Sequence, residues 1–189
     1  MTNEKNSPEM KLGVIDDIHI WKMPVFSDLR GRLFKAYVAE PTGSFPTPFT
    51  TFEHFFTESN KNVFRGMHFQ GEPHSVTKVI SLVQGATIDF LLDMREDSRT
   101  FATFQILEMN EKNPVSILIP PGIAHGYLVL QDKTLISYRM NGPFCENCDG
   151  GISGDFVTPY LPIPFSETIR SARDLALPVF ADYIYSSKC

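Results

Sequence analysis

Apolar and polar positions alternate in short runs through most of this chain, and turn-forming residues separate the runs. Val, Ile, Phe and Thr fill the runs while Pro and Gly punctuate them, the pattern of half-buried strands joined by turns. It predicts strands over 62–70, 77–83, 87–93, 100–109, 115–119, 124–129 and 133–140. Gln84-Gly85 falls between the second and third, so 77–93 reads as a β-hairpin whose arms turn Val, Ile and Leu inward. Strands this short and this regularly spaced point to an all-β fold, either a sandwich or a jelly-roll barrel. Helical periodicity is weak. Residues 168–177 fit a turn or two of helix near the C-terminus, and the aromatic-rich stretch 49–56 fits neither pattern. No internal repeat or low-complexity linker divides the chain. The first ten residues, polar and interrupted by Pro8, are expected to be disordered, which leaves 11–189 as a single domain.

Composition narrows the classes of function. With 189 residues and 42% hydrophobic content the chain can bury one core but hardly two. Its net charge is −5 and its acids are spread along the sequence, which argues against a nucleic-acid partner. No apolar run reaches the roughly 20 residues that cross a bilayer, and the start MTNEKNSPEMK has no apolar signal core. The expectation is a cytoplasmic protein without a membrane partner. Three cysteines, Cys145, Cys148 and Cys189, are too few and too oddly numbered for a disulfide framework. Cys145 and Cys148 form a CxxC, but no second CxxC or paired histidine stands near in sequence to complete a zinc site, so the segment reads as an ordinary loop and no metal is expected.

Two of the five histidines stand out by context. Strict alternation along Val63-Phe64-Arg65-Gly66-Met67-His68-Phe69-Gln70 puts His68 on one face with Phe64, Gly66 and Gln70, where the glycine would leave room for a ligand. His125 sits between Ala124 and Gly126 after Pro120-Pro121-Gly122, at a strand entrance where close approach to a bound molecule is open. A single histidine is more often structural than catalytic. Added to Lys78, Tyr138 and Asp174, the pair points to a polar interior, and polar groups in a barrel interior mark a ligand site.

The series Arg65-Gly66-Met67-His68-Phe69-Gln70, Lys78-Val79-Ile80, Asp89, Asp93-Met94-Arg95 with Ser98 and Thr100-Phe101, Ile119-Pro120-Pro121-Gly122-Ile123-Ala124-His125-Gly126-Tyr127 and Tyr138-Arg139 closely resembles the dTDP-4-dehydrorhamnose 3,5-epimerases. The match runs from Phe26-Ser27-Asp28-Leu29-Arg30-Gly31 to Ser171-Ala172-Arg173-Asp174. The resemblance implies a cupin-like jelly roll, usually a homodimer in which one subunit lends residues to its neighbour's pocket. It implies a nucleotide-diphosphate sugar as substrate and no cofactor. By the same resemblance His68 is the base, Asp174 the carboxylate that orients it, and Tyr138 the acid on the opposite face of the sugar. Lys78 and His125 stand near the developing oxyanion and Arg65 near the phosphates or sugar. Phe144 takes the place of a tyrosine that stacks on the nucleotide base, and Gln70, Arg30, Asp149 and Arg173 match ligand contacts, Arg173 replacing a lysine. The chemistry needs these types: a proton beside a ketone leaves only if the charge moves onto a held oxygen, and inversion needs a second proton donor across the ring.

The departures cluster in nucleotide recognition. Glu53-His54-Phe55 stands for the usual Gln-x-Asn, Lys35 replaces an acid, and Gly154-Asp155-Phe156 stands for Trp-Asn-Asp. They leave dTDP, CDP and GDP open, and likewise inversion at C3, at C5 or at both. Three other readings compete: a single-centre epimerase or ketoisomerase on a non-dTDP sugar nucleotide, a metal-dependent cupin, and a non-catalytic sugar-nucleotide-binding cupin. A metal-dependent cupin normally has an HxH pair, which the His68 strand lacks. A binder has no use for an acid and base pair.

Overall fold

A computed structural model describes residues 10–38 and 49–186. Most of the N-terminal stretch expected to be disordered lies outside the described residues. In chain order the strands are β1 (Lys11–Leu12), β2 (His19–Lys22), β3 (Val25–Asp28), β4 (Gly31–Phe34), β5 (Glu53–Ser59), β6 (Phe64–Gln70), β7 (Lys78–Gln84), β8 (Ala86–Asp93), β9 (Thr103–Asn110), β10 (Val115–Ile119), β11 (Ile123–Val129), β12 (Thr134–Met140) and β13 (Asp149–Gly151). Two short helices, α1 (Ala172–Leu175) and α2 (Phe180–Ser186), follow them. The all-β expectation holds, and each of the seven β-rich runs overlaps a strand. The unassigned aromatic stretch contributes the start of β5. No helix among the described residues is long and apolar enough to cross a membrane.

The strands form a six-stranded sheet in the order β1-β9-β8-β11-β6-β13 and a five-stranded sheet in the order β2-β10-β7-β12-β5. Alternation then sorts side chains into layers. Ile80, Leu82, Leu91, Ile117, Ile119, Tyr127 and Ile136 pack between the sheets. Phe64, Met67, Phe90, Leu92 and Leu128 form a second cluster, to which Val157 and Phe180 from the C-terminal segment belong. The sandwich is thus filled inside and capped on one outer face.

Two local readings fail. The 77–93 hairpin does not form: β7 pairs with β10 and β12, while β8 pairs with β9 and β11. Gly85, at φ +90°, turns the chain from one sheet into the other, a conformation that suits glycine. Both arms still turn apolar residues inward because each faces the same core from opposite sides.

The second failure is the facing of β6. Between His125 and Tyr127 β11 advances two residues, while β6 advances three from His68 to Arg65, so β6 carries an extra residue. The bulge falls at Gly66, which has φ +117°. Arg65, His68 and Gln70 therefore face the inter-sheet space, and Phe64, Met67 and Phe69 share the outer cluster. Gly66 leaves no room for a ligand either: a Cβ there would stand 2.5 Å from the Cα of Gly126. Both glycines serve the close approach of β6 and β11.

Candidate active site

At one end of the inter-sheet layer the apolar filling gives way to a cavity of about 310 Å³. His68, Lys78, Tyr138, Arg65, Gln70, His125, Phe144, Asp149, Arg173 and Asp174 all line it. Of the eleven residues singled out in the sequence, only Arg30 is elsewhere. It sits at the tip of the separate β3–β4 hairpin, exposed, with its guanidinium 2.5 Å from Asp28. Within one chain the hairpin does not reach the cavity.

His68 lies on β6 of the six-stranded sheet and Tyr138 on β12 of the five-stranded sheet, so the two side chains enter the cavity from opposite walls. His68 Nε2 is 2.6 Å from Asp174 Oδ1, and its Nδ1 is 3.0 Å from Arg173 Nη2. A guanidinium only donates, so Nδ1 is the lone-pair atom and Nε2–H points to the carboxylate. Asp174 is positioned by the start of α1, where Ser171 Oγ accepts from the Asp174 amide at 3.1 Å, as an N-cap does. Burial alone would raise the Asp174 carboxyl, but hydrogen bonds from His68 and Ser171 outweigh it and hold the group below its ordinary value.

The opposite wall is tuned differently. Burial, with the neighbouring Tyr127 and Asp89, pushes the Tyr138 phenol well above its ordinary value, so at neutral pH it keeps its proton. Phe55, its register partner on β5, stacks on it with ring centroids 5.1 Å apart. Lys78 directs its amine to the backbone oxygen of His68 at 3.2 Å. Burial pulls this amine down to about 8, against Asp149, which raises it, and with Arg173, which lowers it further.

His125 is fully enclosed and pairs with Asp89 through Nε2 at 2.8 Å. Burial, reinforced by the charges of Lys78 and His68, lowers its pKa despite Asp89, so the ring is neutral and its one N–H goes to that carboxylate. Each imidazole is thus paired with its own carboxylate. Asp89 was quoted in the resemblance without a role, and sequence reasoning gave it none. Tyr127 was likewise quoted without a role, and Thr57 and Met140, which line the cavity with it, went unnoticed. For Tyr127 a signal existed, since it stands two residues from His125 on the same strand face. Phe55 and Thr57 lay in or beside the stretch whose pattern was unreadable.

Three lining residues are committed to one another or to the rim. Arg173 forms an ion pair with Asp149. Gln70 donates from Nε2 to the carbonyls of His74 and Pro143 and accepts from the Cys145 amide at 3.0 Å, so its amide fastens two loops. Phe144, between them, is 62% exposed at the rim, a face left for a planar ligand.

This geometry can be set beside known proteins. The family model described as dTDP-4-dehydrorhamnose 3,5-epimerase matches residues 13–182. The dTDP-4-dehydrorhamnose 3,5-epimerase of Shigella flexneri is 29% identical over 174 residues, covering 90% of this chain and 95% of its own. Among solved structures, that of the Sulfolobus tokodaii enzyme of the same name is 31% identical, covers 86% of this chain and 89% of its own, and superposes with a TM-score of 0.75. The Bacillus anthracis enzyme, solved with TDP and PPi bound, is 27% identical over 87% of this chain and 94% of its own, with a TM-score of 0.79. A family match over nearly the whole chain, on a cupin-like fold whose cavity gathers the residues quoted for that family, makes this chain a member of the dTDP-4-dehydrorhamnose 3,5-epimerase family.

Proposed function

We propose that the protein epimerises a nucleotide-linked 4-keto-6-deoxyhexose at C3, at C5 or at both, with His68 as base and Tyr138 as acid. The observation that carries this is their placement on facing sheets of one cavity. His68 takes a proton from the carbon beside the ketone through Nδ1, and the electron pair moves to the carbonyl oxygen. The Lys78 ammonium receives that oxyanion, since the N–H of the neutral His125 ring is spent on Asp89. Tyr138 then gives its phenolic proton to the same carbon from the other side. Asp174 stabilises the imidazolium in between. Arg173, which caps Nδ1 here, has a stronger acceptor in a diphosphate and leaves the base free when one binds. Phe144 offers a ring for the nucleotide base.

We also infer a homodimer. Val25, Phe26, Leu29 and Leu33 expose large apolar side chains on the β3–β4 hairpin, and Phe55 and Phe56 do so on the edge strand β5, more apolar surface than a lone hairpin and edge normally leave bare. A hairpin covered by a second copy would deliver Arg30 into that copy's pocket. A cytoplasmic setting goes with this reading, as do the free thiols of Cys145 and Cys148.

Proton NMR in deuterated water, with dTDP-, CDP- and GDP-linked 4-keto-6-deoxyhexoses, tests the chemistry and reads nucleotide and position together. The wild type should incorporate deuterium at the inverted centres. His68→Ala should lose uptake by about 10²–10⁴-fold, whereas Tyr138→Phe should keep exchange and lose inversion. Inversion by Tyr138→Phe at the normal rate would remove its role as acid, and normal uptake by His68→Ala would remove the base.

A further inference from the structure

Outside the cavity, the 71–77 loop between β6 and β7 meets the 141–148 loop between β12 and β13, and there the fold does what the sequence spacing did not foretell. His74 Nδ1 lies 3.2 Å from Cys148 Sγ, and Cys148 Sγ lies 3.0 Å from Cys145 Sγ. One ligand atom from each of the three residues falls within 4.8 Å of the other two. No other group of three or more His, Cys, Asp or Glu side chains among the described residues comes this close.

We propose that His74, Cys145 and Cys148 bind a single zinc ion that ties the two loops together beneath Phe144. Two thiolates and one imidazole are a borderline-soft donor set that suits Zn²⁺ over Mg²⁺ or Ca²⁺, which favour oxygen. With bonds of about 2.3 Å to sulfur and about 2.0 Å to nitrogen, a tetrahedral ion sets its sulfurs about 3.8 Å apart and sulfur from nitrogen about 3.5 Å. The Cys145–Cys148 and His74–Cys148 pairs therefore need to open by less than about 1 Å, and the His74–Cys145 pair, within 4.8 Å, to close by no more than about 1.3 Å, with the thiol protons passing to solvent as the thiolates form. Half-exposed Cys145 and Cys148 and exposed His74 leave the fourth position to water.

The backbone around the three ligands is already fixed. Gln70 clamps both loops through His74, Pro143 and Cys145. The Gly71 amide donates to the Cys148 carbonyl at 2.8 Å, and the Cys148 amide to the Cys145 carbonyl at 3.0 Å. An ion here meets a frame that is built before it arrives, so little ordering entropy opposes binding. Phe144, flanked by Pro143 and Cys145, would inherit the rigidity. Metal binding itself is independent of the epimerase reading; only the value of a fixed Phe144 rests on it.

The test uses the full-length protein, purified under reducing conditions, stripped with a chelator and titrated with Co²⁺ and then Zn²⁺. One Co²⁺ per chain should bind, with thiolate-to-cobalt charge-transfer absorption and tetrahedral ligand-field bands, and one equivalent of Zn²⁺ should displace it. Cys148→Ser and His74→Ala, both in surface loops, should each weaken binding by at least about 100-fold. Hydrogen exchange over 141–149 should slow in the Zn²⁺ form of the wild type and not in either variant. Absence of thiolate-to-cobalt bands, binding that survives both substitutions, or a Cys145–Cys148 disulfide in place of the metal would each overturn the proposal. None of these readouts uses epimerase activity, so the two readings stand or fall separately.

Discussion

Lys78 sits where burial and two opposed charges, Asp149 and Arg173, compete. Burial lowers its amine to about 8, which leaves it mainly protonated at pH 7 and mainly neutral a unit above pH 8. If that cation holds the oxyanion, kcat/KM should be level near neutrality and fall as pH rises through about 8. Tyr138, held well above its ordinary value, contributes nothing to that limb. A pH–rate profile of the wild type beside Lys78→Met checks this: the variant should lose about 10²–10³-fold in kcat and the alkaline limb with it. A limb unchanged in Lys78→Met would assign it to another group. At this scale the identity of the polar residues was legible, since His, Lys and Tyr in strand-forming runs are conspicuous. Their partners were not read from the residues themselves: Asp174 was named for His68 only through the family resemblance, and Asp89 was given no role. Asp174 reaches His68 across 106 positions of sequence, and the Asp89–His125 pair across 36, separations that only the fold closes.

Among the elements, the connection from β8 to β9 shows how a matched motif can be structural. Asp93 is fully buried and accepts from the Arg95 amide at 3.0 Å, from Arg95 Nε at 2.9 Å, and from Ser98 and Thr100 hydroxyls at 2.7 Å each. Arg95 also reaches Asp17 at 2.9 Å, tying this turn to the N-terminal segment. Burial alone would raise the Asp93 carboxyl, but Arg95, Thr100 and Ser98 hold it below its ordinary value. Asp93→Ala strands these donors and should cost about 2–4 kcal/mol, read from the urea midpoint at pH 7. Because the folded carboxyl is depressed, its contribution is complete above about pH 4 and is lost as pH falls through the lowered value, so wild type and variant should converge in acid. Element existence was readable because short apolar-rich runs between turn residues coincide with nearly continuous burial in β7, β8, β10 and β11, and alternation with alternating burial in β12. Pairing was not, since an apolar arm has the same pattern whether its neighbour in sequence lies beside it or across the core. The bulge in β6 escaped for a related reason: Gly66 permits a positive φ but does not announce one.

For the whole molecule, the proposed exchange of hairpins makes a prediction that single chains cannot imitate. Subunits carrying Arg30→Ala and subunits carrying His68→Ala should each be nearly inactive as homodimers. Mixed after dissociation and allowed to reassociate, half the dimers would be hybrids with one intact pocket of two, so about a quarter of wild-type activity should return. Recovery of none, or full activity in a protein that light scattering finds monomeric, would exclude lending between subunits. The resemblance raised this arrangement before any geometry did, and it is the exposed Phe26, Leu29 and Leu33 that give it a physical motive.

His68 and Tyr138 hang from separate layers, so nothing covalent or hydrogen-bonded along one strand fixes how far apart they stand. That separation is governed by the bulk of Ile80, Leu91, Ile117 and Ile136, wedged between the layers. On the proposed mechanism, the handedness of the product is also a property of hydrocarbon that never meets the sugar: a thinner filling narrows the gap, a thicker one widens it, and either shifts the odds that a carbanion is quenched on its new side or its old.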